Sequence, residues 1–193
     1  MATDRRVKYT KKVLGEALIK FLNEKPIARI TVKEICEEAD INRATFYAHY
    51  TDQFDQLKKI EAEFIEGINS FLVSYLLTSP QTEIGVVVGI FEYVKQNKQL
   101  CRALLGRNGD IEFQEDLIRV ISGCVLSEWQ GRLNVDRRIA EYMMYILATG
   151  CIGVGTLWLE DDCSMAPEQL ATLVVQLANN GIAPFLIDKQ KQL

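Results

Sequence analysis

The chain has 193 residues, of which 48% are hydrophobic and 25% charged, with four prolines. These are ordinary proportions for a soluble globular protein, and together with the absence of any low-complexity segment they exclude a largely disordered chain. The formal net charge of −4, taken alone, argues against a nucleic-acid-binding protein.

The charges, however, are unevenly divided along the chain. Residues 1–50 hold ten Lys or Arg against seven Asp or Glu, whereas residues 51–193 hold twelve against nineteen. The first twelve residues include five basic side chains, Arg5, Arg6, Lys8, Lys11 and Lys12. A basic head on an acidic body is typical of a localised phosphate-binding face. A solvated, frayed N-terminus is the alternative that charge alone leaves open.

The first two predicted helices are marked by their apolar spacing and by a cap. Apolar residues at i, i+4 spacing predict a helix over residues 8–23, which ends before Pro26. Thr31 and Glu34 then have the spacing of a capping box, in which each side chain accepts a hydrogen bond from a free backbone N–H of the other residue. We therefore expect the second helix to begin at Thr31.

Two further caps follow closely. Residues 40–42, Asp-Ile-Asn, interrupt the apolar pattern, and both Asp and Asn tolerate turn conformations. Asn42 is a suitable N-cap for a short third helix over residues 43–49. Asp52 is placed to cap a long fourth helix over residues 53–77.

Helical patterns continue to the end of the chain, and no stretch alternates as a strand does. Ser79-Pro80 has the form of a helix start, and loops are predicted around residues 106–110 and 161–166. The remaining helices are predicted over residues 82–96, 98–106, 112–132, 136–159 and 167–180. The predicted fold class is therefore all-α.

Residues 142–159 carry no charge, and the length of this stretch approaches that of a membrane-spanning helix. The stretch also contains Thr149, Thr156 and three glycines, and it stands alone. A helix buried between two subunits explains the same pattern. We expect no membrane association.

The cysteines and the single histidine bear on metal binding and catalysis. The five cysteines are odd in number and no two are spaced as CxxC, so we expect reduced, mostly buried thiols in a cytoplasmic protein. The N-terminus also lacks the apolar segment of a signal peptide. A zinc site would also lack histidine support, since His49 is the only histidine. Because no P-loop, GxGxxG, GxSxG or HExxH motif is present, the sequence predicts neither an enzyme nor a cofactor or metal.

The second and third helices are separated by a three-residue turn, which is helix-turn-helix spacing. The stretch TVKEICEEADINRATFYAHY, residues 31–50, closely resembles the signature of the tetracycline-repressor-like (TetR) family. With the first helix, the resemblance covers about fifty residues. It implies an N-terminal three-helix DNA-binding domain, residues 1–55, followed by a larger helical domain for dimerisation and effector sensing, residues 56–193.

The resemblance also implies roles for individual residues. Arg43, in the first turn of the recognition helix, matches a base-reading position, where a guanidinium donates two hydrogen bonds to guanine. Thr31 matches a residue that offers its hydroxyl and nearby N–H groups to a phosphate. Phe46 and Tyr50 match residues that hold the recognition helix on its scaffold. The expected DNA contacts are Thr31, Lys33, Asn42, Arg43, Ala44, Thr45, Tyr47 and His49.

Three of these contacts have a structural alternative. Tyr47 is also compatible with a core aromatic, His49 with a residue that merely ends the helix, and Arg43 with an ordinary surface arginine.

The chain departs from the family pattern in three places that bear on DNA binding. Ala44 replaces a frequent Gly or Ser and is placed to add a small contact to a thymine methyl. Asp40 stands where the family prefers Gly, so a left-handed turn costs more here. Gln53 stands where the family often has Lys, which removes one charged phosphate contact. Lys11, Lys12 or the Arg5–Arg6 arm are the candidates to compensate for it.

The larger domain is expected to dimerise and to sense an effector. The resemblance implies a homodimer through the helices near 136–159 and 167–180, and three glycines in the first of them indicate close backbone approach or a local distortion. Aromatic residues are the candidates to line a ligand pocket, with an ordinary core as the alternative: Phe71, Tyr75, Phe91, Phe113, Trp129, Tyr142 and Tyr145.

The sequence thus predicts a regulator that binds double-stranded DNA at a near-palindromic operator, with repression as the family default. Its release by an unknown small-molecule effector is one expectation. The alternative is a regulator whose C-terminal domain answers a partner protein, or one that acts as an activator and has no small-molecule inducer.

Overall fold

The computed structural model describes residues 2–78, 82–129 and 135–182, and within these ranges every regular element is helical. This confirms the all-α fold class. A short 3-10 turn, Ile27–Arg29, separates the first two helices. The helices are α1 (Ala2–Leu22), α2 (Val32–Glu38), α3 (Arg43–Tyr47), α4 (Gln53–Thr78), α5 (Glu83–Gln96), α6 (Lys98–Leu105), α7 (Ile111–Trp129), α8 (Arg137–Glu160) and α9 (Pro167–Ile182).

Two helices differ from their predicted extents. Helix α1 begins at Ala2 rather than at residue 8, so Arg5 and Arg6 are part of a helix and not of an extended arm. Helix α3 ends at Tyr47 rather than at residue 49, because the N–H groups of His49 and Tyr50 both donate to the Phe46 carbonyl, at 2.9 and 3.0 Å. This bonding closes the helix in a tight turn. The predicted start at Ser79-Pro80 lies outside the described residues.

By packing, the chain divides into two compact units. The first consists of Met1–Ser70 with Asn97–Phe113, and the second of Phe71–Gln96 with Gln114–Leu193. The first unit contains the three predicted DNA-binding helices, the first part of α4, and all of α6. A segment far along the chain therefore folds with the N-terminal helices.

The first unit is built around α1. Leu14, Leu18 and Leu22 are fully buried on one face of this helix. The 97–113 segment is tied to the end of α1 by two side-chain amides: Asn108 donates to the Leu22 carbonyl at 3.0 Å, and Asn23 donates to a carbonyl of α6 at 3.2 Å. These bonds add directional constraints to the apolar contact.

The same segment is also tied to α4. The Lys58 ammonium donates to Asp110 and to Glu112, both at 3.0 Å, and these bonds raise the pKa of Lys58. The rings of Phe64 and Phe113 meet edge to face, with centroids 5.9 Å apart. Polar and apolar contacts thus hold the start of α7 on the middle of α4.

The second unit is built around α5, which packs against α9 and α8. The Phe91 and Trp158 rings meet edge to face at 5.5 Å, and the Trp158 indole donates to the Met165 carbonyl at 3.0 Å. Gly155 lies beneath the Phe91 ring, where an added Cβ would sit 4.0 Å from it. The indole bond also fixes the turn that leads from α8 to α9.

Helix α8 is buried on one face only. Ala140, Met144 and Ala148 are buried, whereas the opposite face exposes apolar side chains. Among the described residues, α8 is the one helix long and apolar enough to cross a membrane, but only 28% of its apolar window is buried in the single chain. In the single chain α8 therefore presents an apolar face to solvent.

Candidate nucleic-acid interface

Helix α2 begins in the predicted capping box. The Thr31 hydroxyl accepts from the Glu34 N–H at 3.2 Å, and the Glu34 carboxylate accepts from the Thr31 N–H at 2.9 Å. Lys25 donates to the other carboxylate oxygen at 2.6 Å. These bonds, that of Lys25 first, lower the pKa of Glu34 to about 2. The start of α2 is therefore held by an ionised side chain.

The turn between α2 and α3 depends on a left-handed residue. Asp40 has a φ of 52°. Its N–H and that of Ile41 donate back to the carbonyls of Glu37 and Cys36, the latter at 2.9 Å, which is the pattern of a Schellman motif. Asp40 thus adopts the left-handed conformation that is easiest for glycine, at the turn where the family prefers Gly.

Helix α3 has five residues and begins at its predicted cap. The Asn42 side-chain oxygen accepts from the Ala44 N–H at 2.8 Å. Arg43 follows directly and is exposed to solvent, as is Ala44. The first turn of α3 therefore presents its side chains outward.

The opposite face of α3 is anchored in the core. Phe46 is fully buried, and its ring lies 5.4 Å from that of Tyr50, which is also buried. Burial raises the pKa of Tyr50 to about 12. Phe46 and Tyr50 thus have the anchoring role that the sequence predicted for them.

The predicted DNA contacts all lie between Thr31, the N-cap of α2, and His49, just beyond the end of α3. Tyr47 is 57% exposed, which rules out the alternative that it is a core aromatic. The other side chains range from half-buried to exposed. Thr45 and His49 are half-buried, and Thr31, Lys33, Asn42, Arg43 and Ala44 are exposed.

Besides Asn42, whose side chain caps α3, two of these residues have side-chain partners within the chain. Lys33 lies 3.7 Å from Glu37, one turn along the same exposed face, and a pair of this kind is weak enough to be displaced by a phosphate. The Thr31 hydroxyl, by contrast, also donates to the Glu34 carboxylate, at 2.8 Å. Both donors of Thr31 are therefore used within the capping box.

Sequence reasoning missed two residues that support this surface from α4. Gln56 is fully buried and donates to the Leu14 carbonyl of α1 at 2.8 Å. Lys59 donates to the His49 carbonyl, just beyond α3, at 3.0 Å. The i, i+4 spacing of Asp55 and Lys59 was a visible signal of a surface pair, but neither tertiary contact has a local signature.

The candidate pocket residues are dispersed. Phe91 is buried and Phe71 is half-buried in the second unit, whereas Phe113 lies in the core of the first. Tyr142 and Tyr145 are exposed on α8. The side chains of Tyr75 and Trp129 lie outside the described part. In that part, no group of three His, Cys, Asp or Glu is arranged to hold a metal ion.

The second half of the chain decides the family. Residues 83–180 match the family model of the TetR-type transcriptional regulator C-terminal region. The chain belongs to the TetR family of transcriptional regulators. Its helix-turn-helix and its C-terminal helices thus point to the same family of transcriptional regulators.

Relatives and solved structures agree with this assignment. An HTH-type transcriptional regulator of Bacillus subtilis, YxbF, is 22% identical over 179 residues, which is 90% of this chain but 46% of the relative. This chain therefore spans about half the length of that curated relative. A TetR regulator from Streptococcus agalactiae has a TM-score of 0.68 at 21% identity, covering 92% of this chain and 98% of that one.

A third similar protein was solved with a ligand. The regulator FadR from Bacillus subtilis, in complex with stearoyl-CoA, has a TM-score of 0.61 at 17% identity, covering 89% of this chain and 98% of that one. At such identities the similarity to these two solved structures establishes only the fold of this TetR-family regulator.

Proposed function

We propose that this TetR-family regulator is a cytoplasmic, sequence-specific repressor that binds a near-palindromic operator as a homodimer. In this proposal residues 1–55 bind DNA, and residues 56–193 dimerise and sense an effector. The observation that carries it is the exposure of Arg43 at the start of a helix that is capped by Asn42 and anchored by Phe46. A preformed, solvent-facing helix of this kind fits the major groove of DNA.

The side chains are assigned the roles that the resemblance to the TetR family implies, and the exposure of Lys33, Arg43 and Tyr47 is compatible with those roles. Arg43 reads a base, and Ala44 and Thr45 lie close enough in sequence to contact a neighbouring thymine methyl or phosphate. Tyr47 and His49 contact phosphate, together with Lys33. Because the Thr31 hydroxyl and N–H are bonded to Glu34, we assign Thr31 a phosphate contact only if the capping box opens on binding.

The exposed face of α8 supports the homodimer. Ile146 is 69% exposed and Leu157 is 66% exposed, and Gly150 and Gly153 lie between them on the same stripe. An added Cβ at either glycine would meet nothing within 4 Å in the single chain. We propose that the backbone of a second copy approaches there, since small residues allow close helix packing.

Helix α9 supplies a second exposed apolar face through Leu173 and Leu177, which are one turn apart. Two helices from each copy then form a four-helix interface with two-fold symmetry. This arrangement accounts for the apolar stretch of α8 without a membrane, since its other face is already buried against protein and covering the exposed face needs only one partner.

An effector bound in the C-terminal part is the proposed signal for release. A similar regulator, FadR, was solved in complex with stearoyl-CoA, which supports a small molecule as the effector. In this chain the aromatic pairs Phe71–Tyr93 and Phe91–Trp158, with centroids 5.4 and 5.5 Å apart, supply apolar surface within the second unit. A partner protein is the other candidate for this role.

In vitro selection of bound DNA with the purified chain tests the DNA-binding proposal. We expect a single enriched near-palindromic motif, with an affinity that falls steeply as salt rises, because phosphate contacts release counterions. An asymmetric single half-site contradicts the dimer, and the absence of any enriched motif contradicts sequence-specific binding. A reporter gene placed behind the selected operator then separates repression from activation by the sign of the response.

A further inference from the structure

Helix α3 is too short to hold its own shape. With five residues, from Arg43 to Tyr47, it is far below the length at which a helix is stable by itself. Its N-terminus is capped by Asn42 and its buried face is anchored by Phe46. The C-terminal end of α3 must also be held in place, because its position affects the angle at which the exposed face of the helix would meet DNA.

The ammonium of Lys59, on α4, closes that end. It donates to the His49 carbonyl at 3.0 Å and to the Asp55 carboxylate at 2.9 Å, and it lies over the Tyr50 ring, 5.2 Å from the centroid. Asp55 in turn accepts from the Thr51 N–H at 2.9 Å. Lys59 and Asp55 thus contact three consecutive residues of the segment that connects α3 to α4: His49, Tyr50 and Thr51.

These contacts use most of the hydrogen-bonding capacity of the Lys59 ammonium. An ammonium has three N–H donors, and two of them are directed to the His49 carbonyl and to Asp55. The Tyr50 ring face covers a further side through a cation–π contact. A cation at the carbonyl end of a helix also interacts favourably with the helix dipole. These contacts hold the ammonium at the end of α3, although 48% of the Lys59 side chain is exposed, so a direct phosphate contact is the alternative that the test must exclude.

We propose that Lys59 is a positioning residue for the recognition helix α3, acting with Asp55 through the His49 carbonyl, and that it does not contact DNA directly. This inference rests on the proposed DNA-binding function. Since Lys59 acts through the orientation of Arg43 and its neighbours, its loss lowers affinity for the specific site and spares affinity for unrelated DNA.

Two variants with opposite changes of charge separate positioning from simple electrostatics. Lys59→Met removes a positive charge and Asp55→Asn removes a negative one. Both variants disrupt the contacts that Lys59 and Asp55 make with residues 49–51. If charge alone matters, the first weakens binding to DNA and the second strengthens it. Positioning predicts that both variants weaken binding to the selected operator, by about fivefold or more.

The measurements are dissociation constants of the full chain for the selected operator and for an unrelated duplex, over a range of salt. The specificity ratio is the dissociation constant for the unrelated duplex divided by that for the operator. We expect this ratio to fall about fivefold in both variants, with the salt dependence of binding unchanged. A phosphate contact by Lys59 instead predicts that the slope of log affinity against log salt concentration falls in magnitude by about 0.9, and that binding to both duplexes weakens together. Either that result or an unchanged ratio overturns the proposal.

Controls keep the test decisive. Lys95→Met removes an exposed positive charge from α5, in the second unit, and is expected to leave the ratio within about twofold. Lys59→Arg keeps a donor at the helix end and is expected to rescue most of the ratio. If Lys59→Met fails to fold by circular dichroism, the Asp55→Asn variant carries the test, because an increase in its operator affinity contradicts positioning.

The two levels of the proposal fail differently. If the unmodified chain enriches no DNA sequence, the DNA-binding function itself is wrong and the role of Lys59 falls with it. If the unmodified chain binds a selected operator and both variants bind it equally tightly, only the role of Lys59 is wrong.

Discussion

The side-chain amide of Gln56 donates to the backbone carbonyl of Leu14 across a distance of 2.8 Å, in the fully buried contact between α4 and α1. The other polar atom of Gln56, Oε1, accepts no hydrogen bond from the described residues. The contact therefore combines one satisfied and one unsatisfied polar group in the core of the first unit.

Substitutions of Gln56 should divide according to shape rather than polarity. Gln56→Met keeps the length of the side chain and removes the unsatisfied oxygen, so we expect the free energy of unfolding to change by less than about 1 kcal/mol. Gln56→Ala leaves a cavity and is expected to cost about 2–4 kcal/mol. Urea denaturation measures both. A loss of several kcal/mol in Gln56→Met would mean that the hydrogen bond to Leu14 is the dominant contribution.

The capping box should make unfolding depend on pH through Glu34. Its pKa is lowered to about 2 in the folded chain, against 4.5 as the ordinary value. The stabilisation is therefore fully present above pH 4.5 and is lost as the pH falls towards 2. We expect the melting temperature of the unmodified chain to approach that of Glu34→Gln over this window. A difference between the two that stays constant from pH 6 to pH 3 contradicts the assignment.

The left-handed residue Asp40 allows a matched test, because three substitutions remove the same charge. Asp40→Gly and Asp40→Asn keep a residue that tolerates a φ of 52°, so we expect the former to be neutral or stabilising by up to about 1 kcal/mol and the latter to be nearly neutral. Asp40→Ala is expected to destabilise by roughly 1 kcal/mol. Thermal denaturation ranks the three. If alanine is as stable as glycine, strain at this turn is not a factor.

Arg43 and Tyr47 should affect DNA binding in different ways. Arg43→Ala is expected to lose about 1–3 kcal/mol at one base position of each half-site, and so to relax the preference there. Tyr47→Phe removes only the hydroxyl that we propose contacts phosphate, so it should weaken binding to all operator variants alike. Competition with a set of single-base operator variants measures both. Equal weakening in Arg43→Ala, or altered preference in Tyr47→Phe, reverses the assigned role.

The glycines of α8 should separate the stability of the chain from its assembly. An added Cβ at Gly150 or Gly153 meets nothing in the single chain, so alanine there is expected to favour the helix by up to about 1 kcal/mol. If the backbone of a second copy packs on these glycines, the same change weakens the dimer by roughly 1–3 kcal/mol. Analytical ultracentrifugation measures the association, with Gly155→Ala on the opposite, buried face as the control. Unaltered association in Gly150→Ala and Gly153→Ala places the interface elsewhere.

Much of the local structure followed directly from the sequence. The caps at Thr31, Asn42 and Asp52 were predicted because each depends on a side chain and a backbone N–H only two or three residues apart. The helices of the second half were predicted to within a few residues, where they are described, for a similar reason, since apolar periodicity reports one buried face. Contacts across longer separations were not predicted, and the pairing of Lys59 with the His49 carbonyl is one of them.

What the sequence determined by itself is the helical fold, the helix-turn-helix with its outward Arg43, and membership of the TetR family, because all three are written in short-range patterns of caps, turns and apolar spacing. Only the tertiary structure decided that residues 97–113 fold with the N-terminal helices, that the donors of Thr31 are already used, and that Lys59 reaches the end of α3. These depend on the angles at which helices pack, and a packing angle is set by the sum of many weak side-chain contacts that no local pattern of residues encodes.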